Sequence, residues 1–309
     1  MEYRIYKFRF KGMVHLGNTG LEDANHFFYA DTLFSALCHE AIKAGNDSLE
    51  RLYELAHSGR LGFSDAFPYI GNEYYIPKPY LKIESDNMSG DSNVKKAYKK
   101  LKYIPVSELG SYLKGEYDVL NTEASNTFGK SQLKTSVSIR GEDETRPYRV
   151  GMYSFNENSG LYIIISYDSD DTIDFAEQLL EALSYSGIGG KRNSGLGRFD
   201  LVNASIPDVL KERLKADGKT YMVMSACLPK DNELDASMTD AHYALIKRSG
   251  FVMSDTYADE QMRKQDLYIF KSGSCFNNKF EGDIYDVSTA SGRHPVYRYA
   301  KPMFLEVDV

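Results

Sequence analysis

The 309-residue chain carries a formal charge of −7 and 42 % apolar residues. That is room for two domains with real cores, too apolar for a disordered chain, and too acidic for a protein that clings to nucleic acid over its whole surface. Three dispersed cysteines, Cys38, Cys227 and Cys275, have neither the spacing of a zinc site nor the even count of a disulfide framework, and point to a reducing cytoplasm.

Residues 3–14 alternate: Tyr6, Phe8 and Phe10 face one way, Lys7, Arg9 and Lys11 the other, as in a half-buried strand. The start is charged, unlike a secretory signal. After a polar stretch with Gly17, Asn18 and Gly20, "ADTLFSALCHEAIKAG" (30–45) predicts a helix. Leu33, Phe34, Leu37, Cys38 and Ala41 form its apolar stripe, Asp31 or a neighbour its cap, and Gly45 its end. Residues 61–81 are strand-like and turn-rich. Residues 84–125 turn polar, with five lysines in "KKAYKKLK" (95–102), and read as a helical or mobile insertion. Residues 126–150 read as a long hairpin turning near 141–144.

The pattern then repeats. "LYIIISY" (161–167) is a buried strand, far short of the ~20 apolar residues that span a bilayer. A helix follows over 170–187, and a strand over 198–203. The last hundred residues contain four strand-like runs around "HYALIKRSGF" (242–251). This order predicts an α+β protein of antiparallel sheets, divided into 1–205, with an insertion at about 84–150, and 206–309. The 24 tyrosines and 16 phenylalanines suit sheet cores, Phe67, Tyr69, Tyr74 and Tyr75 among them, or stacking on bases.

Between the second helix and its strand lies "YSGIGGKRNSGLGRFD" (185–200). Five glycines (Gly187, Gly189, Gly190, Gly195, Gly197) surround Lys191, Arg192 and Arg198, with no acid before Asp200. Leu196 and Gly197 stand where a phosphate-binding P-loop needs Lys and Ser/Thr. Arg192 stands where a dinucleotide fingerprint needs glycine. The loop therefore argues against nucleotide hydrolysis and NAD binding, and no cofactor is expected. Glycines permit φ > 0 and close approach to bare N–H groups. With the three cations and the donors Asn193 and Ser194, this suits a polyanion backbone held along a groove. A glycine-rich connection with incidental cations fits the composition equally well.

"GIGGKRNSGLGRF" resembles the glycine-rich loop of the RAMP superfamily, CRISPR-associated RNA-binding proteins. "ADTLFSALCHEA", "FSDAFPY", "PKPYL", "HYALIKRSGF", "RKQDLYIFKSGSCF" and "YAKPMFLEV", in this order, resemble the family of fourth subunits of type III-A (Csm) effector complexes. The resemblance implies two ferredoxin-like (RRM-like) domains and no catalysis by this subunit; the residues themselves show no metal cluster, so no metal is expected. The resemblance further implies binding of the 5′ repeat-derived tag of CRISPR RNA, and contact with target RNA, in antiviral defence. The implied protein partners are the large polymerase/cyclase-type subunit and the backbone RAMP subunit. It also implies a thumb hairpin that kinks the guide–target duplex, here 126–150 with Lys134 and Arg140.

The expected RNA contacts are Gly187, Gly189, Gly190, Lys191, Arg192, Asn193, Ser194, Gly195 and Arg198 in the loop. Lys247, Arg248, Ser249 and Lys271 are expected in the second domain, with His15 at the first strand's exit and Ser35 on the first helix. Two other readings are open. One is a metal-independent RAMP endoribonuclease using His15, His26 or His39, although no spacing dictates an acid–base pair. The other is an assembly subunit that touches protein only.

Overall fold

The computed structural model describes residues 1–17, 20–83, 92–120, 128–138 and 146–308. In the first half the elements are β1 (Glu2–Phe10), α1 (Ala30–Ala44), α2 (Asn46–His57), β2 (Leu61–Phe63), β3 (Phe67–Ile70), β4 (Glu73–Pro77), α3 (Ser92–Lys100), β5 (Tyr103–Pro105) and α4 (Leu109–Leu113). Then come β6 (Gly129–Ser138), β7 (Arg146–Phe155), β8 (Ser159–Tyr167), α5 (Asp170–Ser186) and β9 (Phe199–Ala204). Seven strands form one sheet in the order β5-β4-β3-β8-β1-β9, with β2 also on β8. β1 lies antiparallel between β8 and β9, with Phe8 opposite Leu161 on one side and Leu201 on the other.

The alternation in β1 is real, but the sheet is buried on both faces. Tyr6, Phe8, Leu161, Ile163 and Ile165 pack beneath α1, α2 and α5, against Leu33, Phe34, Leu37 and Leu183. Ile5, Tyr162 and Ile164 pack on the opposite face. The expected polar face of β1 is therefore not simply solvated: Lys7 donates to the Gly71 carbonyl at 2.8 Å and sits over the rings of Tyr69 and Tyr74. Phe67, Tyr69, Tyr74 and Tyr75 are buried and belong to the core.

The expected polar insertion is also packed where it is described. Tyr98, Leu101, Ile104, Leu109 and Leu113 cover the second face of the sheet, while Lys95, Lys96, Lys99, Lys100 and Lys102 stay exposed. One helix face thus hides the apolar residues and the other carries the charge run. β6 and β7 form the expected hairpin, with ten facing pairs. Its root joins the β1 exit through a bridge between Val14 and Tyr153. The turn, with Arg140, lies outside the described residues.

The second half holds α6 (Asp208–Lys215), β10 (Tyr221–Val223), α7 (Leu234–Met238), β11 (Leu245–Arg248), β12 (Leu267–Phe270), β13 (Cys275–Phe276), β14 (Asp283–Asp286), β15 (Tyr297–Ala300) and β16 (Phe304–Glu306). These strands are antiparallel, as expected, but they do not repeat the first sheet. They divide into a three-stranded sheet, β13-β10-β16, and two ribbons, β11-β12 and β14-β15. Breaks in the strands account for this. Pro302, which has no N–H, separates β15 from β16, and the Ser225 hydroxyl bridges the gap by donating to the Lys301 carbonyl and accepting from the Met303 amide. Met222, Met224 and Leu305 pack against Ile164, and Tyr299 packs against Phe34. Both faces of the first sheet are thus completed by the second half.

Charge fixes the junction. Asp31 was the expected helix cap, but its carboxylate is buried between Arg248 and Arg298 of the second half. The first amide of α1, on Ala30, donates instead to Asp65 Oδ1 at 2.8 Å, and the Ala226 amide donates to the same oxygen at 3.0 Å. Burial pushes the Asp65 carboxyl from 3.8 up to about 6, against the pull of those two donors. A folded value above the unfolded one gives stability that is full below about pH 4 and lost as the pH rises to about 6, a swing of roughly 3 kcal/mol. Thermal denaturation across this window is expected to show that slope, and Asp65→Asn to flatten it; an equal slope in the variant refutes the assignment.

Candidate nucleic-acid interface

The glycine loop is built by close approach to the β1 exit. α5 ends at Gly187 (φ +79°), whose amide donates to the Leu183 carbonyl. The Gly190 amide donates to the His15 carbonyl at 2.9 Å, and the Gly197 amide to the Met13 carbonyl at 3.1 Å. Ile188 donates to Gly197, Ser194 to Lys191, and Gly195 to Arg192. A Cβ at Gly189 would lie 2.5 Å from the His15 carbonyl oxygen, and one at Gly197 would lie 2.0 Å from that of Ile188. The expected cradle of bare amides is therefore reduced, because six of these amides hold the loop in shape. What the loop presents outward is the short turn Arg192–Ser194, raised by Lys191 in the left-handed region (φ +57°).

This turn borders a groove of about 830 Å³. His15 lines it, and α1 contributes Thr32, Ser35, Ala36 and His39 from one face. Lys191, Arg192, Asn193 and Ser194 line it from the glycine loop. Arg248, Phe251, Met253 and Gln261 line it from the second half. Lys191 Nζ also sits 4.9 Å from the ring centre of Tyr148, so the hairpin meets the loop.

The groove gathers His15, Ser35, Gly187, Gly189, Gly190, Lys191, Arg192, Asn193, Ser194 and Arg248 of the expected contacts. It does not gather Gly195, Lys134, Lys247, Ser249, Lys271 or Arg198. Arg198 borders a separate hollow with Lys11, Tyr185 and Asp200. Lys247 pairs with Asp266 at 2.7 Å. Arg248 reaches the groove, but its guanidinium is held by Asp31 and Thr32 and lies over Tyr29, so the structure gives it a joining task. Lys134 is exposed on the hairpin.

The histidines separate by environment. His15 Nδ1 lies 2.6 Å from the Gly151 carbonyl, which can only accept; the proton is therefore on Nδ1. Burial, with Arg192 and Lys264 nearby, lowers the pKa of His39, so its ring is neutral at pH 7. His26 packs among Phe27, Tyr103, Phe128 and Tyr153, and burial takes its pKa down to about 4. Of the three histidines weighed for nuclease chemistry, only His15 and His39 line the groove. Among the described residues, no group of three or more His, Cys, Asp or Glu side chains could hold a metal, and no helix is long and apolar enough to cross a membrane. Phe251, Met253, Gln261 and Thr32 also line the groove and were not among the expected contacts; Phe251-Val252-Met253 is apolar throughout, so no alternation in the sequence marks which of the three face outward.

An antiparallel sheet crossed by α1 and α5, with this loop between α5 and the last strand, defines a protein of the RAMP superfamily, whose family model matches residues 7–200. A second family model, the CRISPR Csm4 C-terminal domain, matches residues 216–307. The chain belongs to the Csm4 family of CRISPR proteins. It is 39 % identical over 307 residues to the CRISPR system Cms protein Csm4 of Mycobacterium tuberculosis (strain ATCC 25618 / H37Rv), covering 99 % of this chain and 98 % of the relative. It is 34 % identical over 317 residues to the same-named protein of Streptococcus thermophilus, covering 100 % of both. Its fold matches a chain in the crystal structure of the Csm3-Csm4 subcomplex of the type III-A CRISPR-Cas interference complex, with TM-score 0.70, 19 % identity, and 99 % and 100 % of the two chains covered. A chain of the Csm1-Csm4 cassette in complex with AMPPNP matches with TM-score 0.61, 20 % identity, and coverage of 100 % and 99 %.

Proposed function

We propose that this chain is a non-catalytic RNA-binding subunit of a cytoplasmic type III-A CRISPR interference complex, holding the 5′ repeat-derived tag of the CRISPR RNA. Residues 1–205 act as a ferredoxin-like RAMP domain, and residues 206–309 as its partner domain in the same groove. The observation that carries this reading is the groove itself: the cationic turn Lys191–Ser194, the β1 exit and the second half converge on one channel. Lys191 and Arg192 hold phosphates, while Ser35, Asn193 and Ser194 supply donors around them. The solved likenesses come from assemblies with Csm1 and Csm3, which supports docking here to a large polymerase/cyclase-type subunit and a backbone RAMP subunit. The β6-β7 hairpin is the thumb that bends the duplex of guide and target RNA.

Tag-RNA binding measured against salt tests this. Lys191→Ala with Arg192→Ala is expected to weaken binding of every sequence and to flatten the log K versus log salt plot by about 0.7 per lost contact. Unchanged affinity and slope would support the protein-only reading. Specific cutting of a repeat RNA in EDTA would favour the nuclease.

A further inference from the structure

Of the large apolar side chains that line the groove, Leu16, Phe28, Tyr29 and Ile188 are buried, whereas Phe251 and Met253 are exposed. Phe251 is 49 % exposed and Met253 64 % exposed, yet Val252 between them is only 8 % exposed. Extended backbone places alternate residues on opposite sides. Val252 packs with Tyr257, Val287 and Val296 and donates its amide to the Met262 carbonyl, while the Gly250 carbonyl accepts from Lys264. Its neighbours are thereby turned outward, and both line the groove. The Arg263 guanidinium lies 5.8 Å from the Phe251 ring centre and supports that ring from its own half of the chain.

The glycine loop and the segment 251–253 therefore bring different chemistry to the groove. Lys191 and Arg192 offer positive charge, whereas Phe251 and Met253 offer an aromatic face and a polarizable sulfur. A nucleotide has the matching asymmetry, with a charged backbone on one side and a flat π-surface on the other. We infer that Phe251 and Met253 form a stacking wall that takes one nucleobase of the bound strand. The first half then grips the backbone, and the second half grips a base. This rests on the groove being the seat of the tag. Stacking on an aromatic ring tolerates any base, so the wall strengthens binding more than it selects sequence.

The test uses particles assembled with guide RNA carrying 2-aminopurine at one tag position at a time. Its emission is quenched where the base stacks. Phe251→Ala is expected to raise emission severalfold at one position and to weaken tag retention about 10-fold, while Phe251→Tyr keeps both. The salt slope should stay as in the parent, because no phosphate contact is lost. If Phe251→Ala with Met253→Ala leaves emission unchanged at every tag position, the inference is overturned. If that variant instead releases the large protein subunit with quenching intact, the wall is a protein contact and the inference also falls. Lys191 and Arg192 variants keep the two readings separate, since an unchanged salt slope there defeats the groove assignment itself.

Discussion

Asp31→Ala is expected to lower the unfolding free energy by about 3–5 kcal/mol, because it strands two guanidinium groups inside the protein. Arg248 meets Asp31 through Nε at 3.0 Å and Nη2 at 2.9 Å, and adds Thr32 Oγ1 at 3.0 Å. Arg298 donates through Nη1 to Oδ2, the same oxygen that Arg248 Nε meets. Burial alone would raise the Asp31 pKa; the two guanidinium groups outweigh it and hold the carboxyl below its ordinary value. Urea denaturation should show a lower midpoint, with the two halves ceasing to unfold together. A triple variant, Asp31→Leu with Arg248→Met and Arg298→Leu, should recover most of the loss, since no buried charge is then left alone. A single Asp31→Ala variant with parental stability would show that the clamp does not join the halves.

Gly197→Ala is expected to cost at least about 2 kcal/mol and to abolish tag binding with it. The left-handed backbone at φ +77° accounts for about 1–2 kcal/mol of that. The rest comes from contact: the new methyl would lie 2.0 Å from the Ile188 carbonyl oxygen, which must move and break the pairing between Ile188 and Gly197. Gly195 supplies the comparison. It has φ +82° but open space around it, so Gly195→Ala should cost only the backbone component. Thermal denaturation of both variants decides the matter. Equal losses would mean that close packing is not why the loop carries glycine.

Local signals made much of the first half legible. The alternation of β1 and the stripe of α1 are patterns within a single element, and the ladder of β6-β7 joins near neighbours in the chain. The glycine loop was visible as composition, but its purpose was half misread: glycine also admits the His15 carbonyl, 174 positions before Gly189. Asp31 looked like a cap because it opens a helix, and Arg248 looked like an RNA contact because it sits in a basic turn. Each is the other's partner across 217 residues, a distance that periodicity does not report. The second face of the sheet was hidden for the same reason. Lys7 and Arg9 suggested solvent, and the residues that cover Ile5 come from the insertion and the second half.

The dependence of both sheet faces on residues past 205 has a consequence for biosynthesis. The ribosome delivers Ile5, Tyr162 and Ile164 well before Met222, Met224 and Leu305, which shield them in the finished protein. Until those arrive, the nascent chain carries a sticky, unfinished slab, a natural client for chaperones. A gene fragment ending there should yield inclusion bodies, and any exchange of halves between homologues must carry matching shields.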